Sequence, residues 1–116
     1  VRILSLSDTV GTADASTIKP IYEELIPRFP EVEFGAHFHA HPDAQKSKLQ
    51  AAWEGGCRRF DTAINGFGGC PFAEDELVGN IATESLLSYL EEINASPKLN
   101  LDAFGAAMQL AGSVFG

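Results

Sequence analysis

The strongest constraint on the fold is a strand-then-helix pattern that recurs at a nearly constant period. Predicted strands cover Arg2 to Asp8, Val32 to Phe38 and Arg59 to Asn65, so their starts lie about 30 and then 27 residues apart. This is the period of βαβ units, whose strands are parallel and whose crossovers are right-handed. Three parallel strands are too few to close a barrel. The pattern predicts an α/β fold, either a small open sheet or three consecutive units of a (β/α)8 barrel.

Each predicted strand is followed by a segment with apolar residues at helical spacing. The first helix follows Asp14, a candidate N-cap, and we expect Pro27 and Pro30 to end it. Pro20 is expected either to delay the start of this helix or to kink it. The other helices are predicted over Pro42 to Glu54, over about Glu84 to Ile93 with Thr83 as the cap, and over about Leu101 to Ser113.

Composition limits the partners of the chain. Eight basic against sixteen acidic residues give a net charge of −8, which argues against a nucleic acid or an anionic membrane as the main partner. No uncharged apolar stretch approaches the roughly 18–20 residues that span a bilayer, and we expect no secretory signal. The 116 residues fit one domain. With only two cysteines, we expect an intracellular protein, cytoplasmic in a bacterium or in the mitochondrial matrix of a eukaryote.

Reactive side chains collect where the predicted strands end. Asp8 ends the first strand, and His37 and His39 end the second. Asn65 and Cys70 follow the third strand. Because function in parallel α/β folds gathers at the carboxyl ends of the strands, we expect these groups to converge on one pocket. A plainer role for Asp8 is to cap the turn that follows it.

The segment His37-Phe38-His39 places two imidazoles on the same face of a strand, since side chains two residues apart project to the same side. Two nearby imidazoles can begin a metal site that needs only a few further oxygen ligands. The alternative is a pair of hydrogen-bonded histidines without a metal. His41 is expected to lie in a loop or at a helix start rather than to bind a metal.

Cys70 lies in a glycine-rich segment, where a thiol can act as an acid, base or nucleophile if its pKa is tuned. The alternative for a free cysteine is a small buried apolar residue, which is what we expect of Cys57. The predicted strand between the two cysteines is roughly 20 Å long, whereas a disulfide needs Cα atoms within about 7 Å. We therefore expect no bridge between them.

Four segments resemble, in order and spacing, those of hydroxymethylglutaryl-CoA (HMG-CoA) lyases. They are Ser5-Leu6-Ser7-Asp8-Thr9-Val10-Gly11, Ala36-His37-Phe38-His39, Gly66-Phe67-Gly68-Gly69-Cys70-Pro71-Phe72-Ala73 and Gly79-Asn80-Ile81-Ala82-Thr83-Glu84. The glycine loop with Cys-Pro is the most specific of them. Related metal-dependent acyl-CoA synthases and aldolases on the same barrel share the paired histidines and the Gly-Asn but usually lack this loop.

The resemblance implies a TIM (β/α)8 barrel, of which residues 1–116 would be a partial domain holding strands six to eight and the trailing helices, the C-terminal portion. It also implies cleavage of the acyl-CoA substrate HMG-CoA to acetyl-CoA and acetoacetate, with Mg²⁺ or Mn²⁺ as the divalent cation. Since the chain opens at Val1 without a methionine and enters a strand at once, we expect a piece of a longer protein. Its open sheet edges and apolar face favour a homo-oligomer.

By the same resemblance, His37, His39 and Asn80 are metal ligands. Cys70 is the catalytic thiol on the loop and Asp8 an active-site aspartate. The loop glycines that would lie near the substrate are Gly66, Gly68 and Gly69. In the implied retro-Claisen reaction, the thiol protonates the enolate carbon, and either Asp8 or His37 assists the base step.

The chain departs from the family pattern in places. Ala40 stands where an aspartate commonly follows the second histidine, and Ser7 replaces a common glycine. The family's Arg-Asp pair after its first strand, which includes a metal ligand, has no counterpart in these residues. Two alternatives therefore stay open. One is another metal-dependent acyl-CoA synthase or aldolase of the same superfamily, and the other is a non-catalytic metal-binding fragment.

Overall fold

The computed structural model of the chain describes residues 1–68 and 78–115. The described residues alternate strands and helices along the chain, as the periodicity predicts. The elements are β1 (Ile3–Asp8), α1 (Ala15–Arg28), β2 (Glu33–Ala40), α2 (Gln45–Glu54), β3 (Arg59–Phe60), β4 (Gly79–Asn80), α3 (Thr83–Glu92) and α4 (Leu101–Phe115), with single 3-10 turns at Pro42–Ala44 and Ile64–Gly66.

The first three strands form a parallel sheet in the order β1-β2-β3, which confirms the predicted α/β class. β1 pairs with β2 in register from Ile3 beside Glu33 to Asp8 beside Phe38. The prediction for the third strand is wrong in length, because β3 pairs with β2 over only two residues. After β3 the chain bends into a 3-10 turn in which Asn65 has a φ of +57°, a conformation that a strand cannot contain.

A fourth strand, which the periodicity does not predict, joins the sheet at the carboxyl end of β2. β4 runs antiparallel to the end of β2, and its Asn80 lies opposite His39. Two residues carry no readable alternation of polar and apolar side chains, so no sequence pattern indicates this strand. The pairing brings a residue from beyond the glycine loop beside the histidine pair.

The two faces of β2 differ in what covers them. Its even-numbered residues, Phe34 to Ala40, are buried under α1 and α2, while Gly35, His37 and His39 lie on the opposite face. The buried core includes Ile18, Tyr22, Phe34, Ala36, Phe38, Ala40, Leu49, Ala51, Ala52, Cys57, Ile81, Tyr89 and Leu90. The helices therefore cover one side of the sheet, and the histidine pair is presented on the other.

Helix α1 begins where the sequence indicates but ends later. Asp14 is its N-cap, since the carboxylate accepts a hydrogen bond from the Thr17 N–H at 3.1 Å. Pro20 does not delay the start of the helix, and the kink expected there stays a prediction. Pro27 lies inside the helix, which ends at Arg28, one residue later. Pro20 removes the bond to the Ser16 carbonyl, which lies in the exposed first turn where water can pair it.

The later helices differ from the prediction mainly at their starts. Pro42 opens a 3-10 turn rather than α2 itself. The N-cap of α3 is Ala82, and the hydroxyl of Thr83 is instead paired with that of Thr62 at 2.9 Å. In the part of the chain that the structure describes, no helix is both long enough and apolar enough to cross a membrane.

We expect Tyr22→Phe to destabilise the chain by about 1–2 kcal/mol, because the substitution leaves a buried carbonyl without its donor. The Tyr22 hydroxyl donates to the Gly35 carbonyl at 2.7 Å and so ties α1 to the middle of β2. Urea unfolding followed by circular dichroism measures the loss.

The matched control for this prediction is Tyr89→Phe. Tyr89 is also buried, but its hydroxyl has no protein hydrogen-bond partner within residues 1–68 and 78–115. We expect a change of less than about 0.5 kcal/mol. Equal losses for the two variants would contradict the role given to the Tyr22 bond.

Candidate functional site

The carboxyl edge of the sheet gathers the polar residues that the sequence singles out. Asp8 is the last residue of β1, His37 and His39 lie near the end of β2, and Asn80 ends β4. Since β4 pairs with the end of β2, these four residues come from three strands that meet at one edge.

The two imidazoles share one face, as their spacing predicts. Their ring centroids are 5.3 Å apart and the ring planes are tilted by 44°. His39 is buried, whereas the His37 side chain is 44% exposed on the open face of the sheet. The pair is thus close enough for both rings to reach one small ligand.

Each ring is held by its Nδ1 atom. The Nδ1 of His39 lies 3.2 Å from the Asp8 carbonyl oxygen, which can only accept, so this nitrogen carries the hydrogen. The Nδ1 of His37 lies 3.2 Å from an oxygen of the Asp61 carboxylate, another acceptor. In the neutral form of each ring these contacts place the lone pair on Nε2, the atom that a metal ion would take.

Asn80 is oriented in the same way. It pairs with His39 across the two strands, so the two side chains share a face. Its Nδ2 donates to the Phe67 carbonyl at 2.8 Å, which leaves the Oδ1 oxygen as its unpaired acceptor among the described residues. One amide oxygen and two imidazole nitrogens are thus presented at the same edge.

This donor set fits a divalent cation. Mixed imidazole and amide ligation tolerates Mg²⁺ or Mn²⁺, and three protein ligands leave coordination positions for a substrate. No group of three or more His, Cys, Asp or Glu side chains that could hold a metal lies within residues 1–68 and 78–115. The site therefore depends on the Asn80 amide, and a carboxylate ligand would have to come from outside these ranges.

Asp8 lies at the same edge but on the other side of the sheet. In the register of β1 and β2 it is beside Phe38, whose ring is in the core, whereas Ser7 is beside His37. Its carboxylate is 7% exposed, paired with Lys48, and accepts the backbone N–H of His39 at 2.7 Å. The expected convergence of this carboxylate with the imidazoles is therefore not what the structure shows. Its role in catalysis stays a prediction.

Two of the loop glycines are packed against Asn80. Gly66 and Gly68 have φ values of +68° and +84°, which favour glycine. A Cβ at Gly66 would lie 2.9 Å from the Asn80 carbonyl oxygen, and one at Gly68 would lie 3.0 Å from the Asn80 Nδ2. Gly69 and Cys70 lie outside the described residues, so their predicted roles stay predictions.

Cys57 matches its predicted structural role. The thiol is fully buried at the entry to β3 and donates to the Arg59 carbonyl at 3.2 Å. Burial raises its pKa, so the thiol stays protonated and unreactive near neutral pH. His41 begins the 3-10 turn before α2, also as predicted, and its Nδ1 lies 3.0 Å from the Asp43 carboxylate.

Comparison with known proteins identifies the family. The family model HMGL-like matches residues 1–111. The chain belongs to the HMGL-like family. It is 33% identical over 111 residues to (R)-citramalyl-CoA lyase of Chloroflexus aurantiacus, covering 96% of this chain and 35% of that protein. It is also 33% identical over 99 residues to the hydroxymethylglutaryl-CoA lyase YngG of Bacillus subtilis, covering 85% of this chain and 33% of that protein.

Solved structures of the family share the fold. An HMG-CoA lyase from Acinetobacter baumannii in complex with coenzyme A and 3-methylmalate superposes with a TM-score of 0.82 at 35% identity, covering 97% of this chain and 37% of that one. The Bacillus subtilis HMG-CoA lyase gives a TM-score of 0.85 at 30% identity, covering 97% and 38%. The parallel α/β architecture is therefore that of HMG-CoA lyases.

The chain spans about a third of the length of the relatives and structures that it matches. The family resemblance is confirmed by these comparisons. They do not support the narrower prediction that the strands are six to eight of the barrel, in its C-terminal portion.

Sequence reasoning missed three residues that shape this edge of the HMGL-like chain. Lys48 pairs with Asp8, Asp61 holds His37, and the Glu84 carboxylate accepts the Asn65 N–H at 2.9 and 3.0 Å. Asp61 could have been found from the strand register: Ala36 pairs with Phe60, and one further residue along both chains places Asp61 beside His37. The signal for Lys48 is its place four residues before the buried Ala52, on the buried face of α2.

We expect Gly68→Ala to weaken the binding of Mn²⁺, used as a probe, by about tenfold. The added methyl group would press on the Asn80 amide, and the positive φ adds about 1–2 kcal/mol of strain. Isothermal titration calorimetry measures the affinity. The control is Gly105→Ala in α4, where a Cβ meets no atom within 4 Å, so the affinity should not change. Unaltered binding in Gly68→Ala would show that Asn80 is not a ligand.

Proposed function

We propose that the chain forms the metal-binding edge of a divalent-metal-dependent acyl-CoA lyase that cleaves HMG-CoA to acetyl-CoA and acetoacetate. The observation that carries the proposal is the common orientation of His37, His39 and Asn80. Each has its hydrogen-bonding donor engaged by the protein, which leaves a lone pair at the edge where β2 and β4 meet. The HMGL-like family, whose matched relatives are named as lyases, supports the reaction class.

The proposed ligands are the Nε2 atoms of His37 and His39 and the Oδ1 atom of Asn80. Mg²⁺ or Mn²⁺ held there would act as a Lewis acid and template for the hydroxyl and carboxylate oxygens of the substrate. The Asp8 carbonyl and the Asp61 carboxylate keep the rings turned so that the same nitrogen of each faces the ion.

The cleavage needs a base for the tertiary hydroxyl proton and an acid for the enolate carbon. Cys70 is the proposed acid, by its match to the family's loop thiol. Asp8 is poorly placed to take the hydroxyl proton, because its buried carboxylate already accepts hydrogen bonds on both oxygens. In this proposal the chain supplies the ligands of the ion and the acid, and the base is a group on the open face of the sheet.

A second substrate follows from the first-named relative. (R)-citramalyl-CoA lyase is 33% identical to the chain over 96% of its length. Citramalyl-CoA has the same β-hydroxy thioester as HMG-CoA but lacks one methylene between the carbinol carbon and the carboxylate. The same retro-Claisen step would then release pyruvate instead of acetoacetate. A difference of one methylene is worth about 1–3 kcal/mol in selectivity, so the two activities can coexist.

We also propose that the protein assembles with copies of itself. Helix α4 exposes large apolar side chains along its length, and the part of the core described here does not cover them. They are Leu101, Leu110, Val114 and Phe115.

We expect His37→Ala and His39→Ala each to weaken Mn²⁺ binding at least tenfold, since each removes one of three proposed ligands. Calorimetric titration of the folded chain measures this, with circular dichroism as the test of folding. His41→Ala is the matched control, because His41 lies two residues further on and outside the donor set. Equal affinities for all three variants would contradict the site.

We expect a complete barrel that carries these residues to release acetoacetate from HMG-CoA, and Cys70→Ser to lower kcat by about 100-fold with Mn²⁺ affinity unchanged. Enzymatic detection of acetoacetate and of pyruvate distinguishes the two substrates. The isolated 116 residues should show negligible turnover, because they lack the family's Arg-Asp pair. Cleavage of neither thioester by the complete barrel would overturn the proposal.

A further inference from the structure

Lys48 is a buried ammonium that contacts three separate elements. Its side chain is 4% exposed, on the face of α2 that packs against the sheet. Its Nζ donates to the Asp8 carboxylate, to the His39 carbonyl at 2.7 Å and to the Gly11 carbonyl at 3.1 Å. These three bonds use all the donors that an ammonium has.

Asp8 completes the network from the other side. One carboxylate oxygen accepts from Lys48 and the other accepts the His39 N–H at 2.7 Å. The Asp8 carbonyl also accepts the Gly11 N–H at 2.9 Å, which closes the turn after β1. For Asp8 to contact a substrate on the open face, this buried ion pair would have to break and leave the ammonium without its counter-charge.

Half of the six bonds in this network involve one residue. Three of its bonds involve His39, through its N–H, its carbonyl and its Nδ1. The backbone of His39 is therefore fixed on both sides of its Cα atom, and its ring is fixed by one nitrogen. Only Nε2 has no partner among the described residues.

A purely stabilising role explains this arrangement poorly. A buried ion pair stabilises a fold no better than well-packed apolar residues of similar volume, because the desolvation of two charges opposes their attraction. Apolar residues at these two positions would pack α2 against β1, and residue 8 would still offer its main-chain carbonyl to the His39 ring. They could not, however, hold the backbone N–H and carbonyl of His39, which contact the Asp8 carboxylate and the Lys48 ammonium. The feature that needs charged groups here is the orientation of that histidine.

We propose that Lys48 and Asp8 are a buried positioning pair. Their side chains fix the backbone of His39, so that the main-chain carbonyl of Asp8 can hold the imidazole with its Nε2 towards the proposed metal site. Asp8 then acts through His39 and does not touch the substrate. The inference rests on the proposed function, which makes His39 a ligand.

The test compares Lys48→Met, which keeps the length of the side chain without its charge, with Leu49→Ala as a control. Leu49 is the neighbouring residue of α2, fully buried in the core and without contact to the network. Each variant is titrated with Mn²⁺ at a temperature at which circular dichroism shows it folded, and the ¹⁵N shifts of the His39 ring report its tautomer.

We expect Lys48→Met to weaken Mn²⁺ binding by about tenfold or more and to mix the His39 tautomers. Leu49→Ala should lower the melting temperature while leaving affinity and tautomer unchanged. A Lys48→Met chain with normal affinity and a single tautomer would overturn the proposal. If Lys48→Met does not fold, Lys48→Arg decides, since a planar guanidinium keeps the charge but cannot reproduce the three bonds.

Asp8→Asn in the complete barrel separates positioning from substrate contact. A positioning role predicts weaker Mn²⁺ binding and a lower kcat, with the KM for the acyl-CoA thioester unchanged. A raised KM with normal Mn²⁺ affinity would show that Asp8 touches substrate and would overturn the inference. If the unaltered chain binds no Mn²⁺, the proposed metal site fails, while the tautomer of His39 in Lys48→Met still decides the positioning role.

Discussion

The rest of the site depends on the hydrogen bonds of the Lys48 ammonium, which is buried beneath the edge of the sheet. A buried charge is tolerated only when it is paired and fully hydrogen-bonded, and this one meets that condition by joining β1, the following turn and β2. The consequence is geometric. The carboxyl ends of the two strands cannot shift relative to each other without breaking a bond to the same nitrogen, so Asp8 and His39 stay in fixed register.

The outer half of the site is built on that fixed edge. Because the end of β2 is held, β4 can pair with it and bring Asn80 opposite His39. The glycines of the turn pack against Asn80 because they have no Cβ: a Cβ at Gly66 would lie 2.9 Å from the Asn80 carbonyl oxygen, and one at Gly68 would lie 3.0 Å from the Asn80 Nδ2. The Phe67 ring, whose carbonyl orients that amide, lies 4.9 Å from the ring of Phe115 at the end of α4. The segment that orients the amide therefore also packs against the end of α4.

The sequence predicts the parts of this structure that follow from periodicity and fails where a single tertiary contact decides. Spacing places the strands in parallel and the imidazoles on one face, and both are observed. The length of β3 and the presence of β4 depend on a turn at Asn65. The backbone φ of +57° at this residue belongs to that turn, and a strand pattern in the sequence does not reveal it. Asp8 lies two residues after Leu6, which packs against the core, so the alternation of side chains along β1 already places Asp8 on the face of the sheet that the helices cover. The alternation could not show that Lys48 is the partner of Asp8, because a lysine on an amphipathic helix is ordinarily exposed.

The three proposed donors, His37, His39 and Asn80, are oriented by contacts with neighbouring residues of the same sheet edge. The described residues supply one orienting contact for each of the three proposed donors: a carbonyl and a carboxylate for the imidazoles, and a carbonyl for the amide. These contacts come from β1, from the residue after β3 and from the segment after the 3-10 turn, so neighbouring parts of the same sheet edge orient the donors.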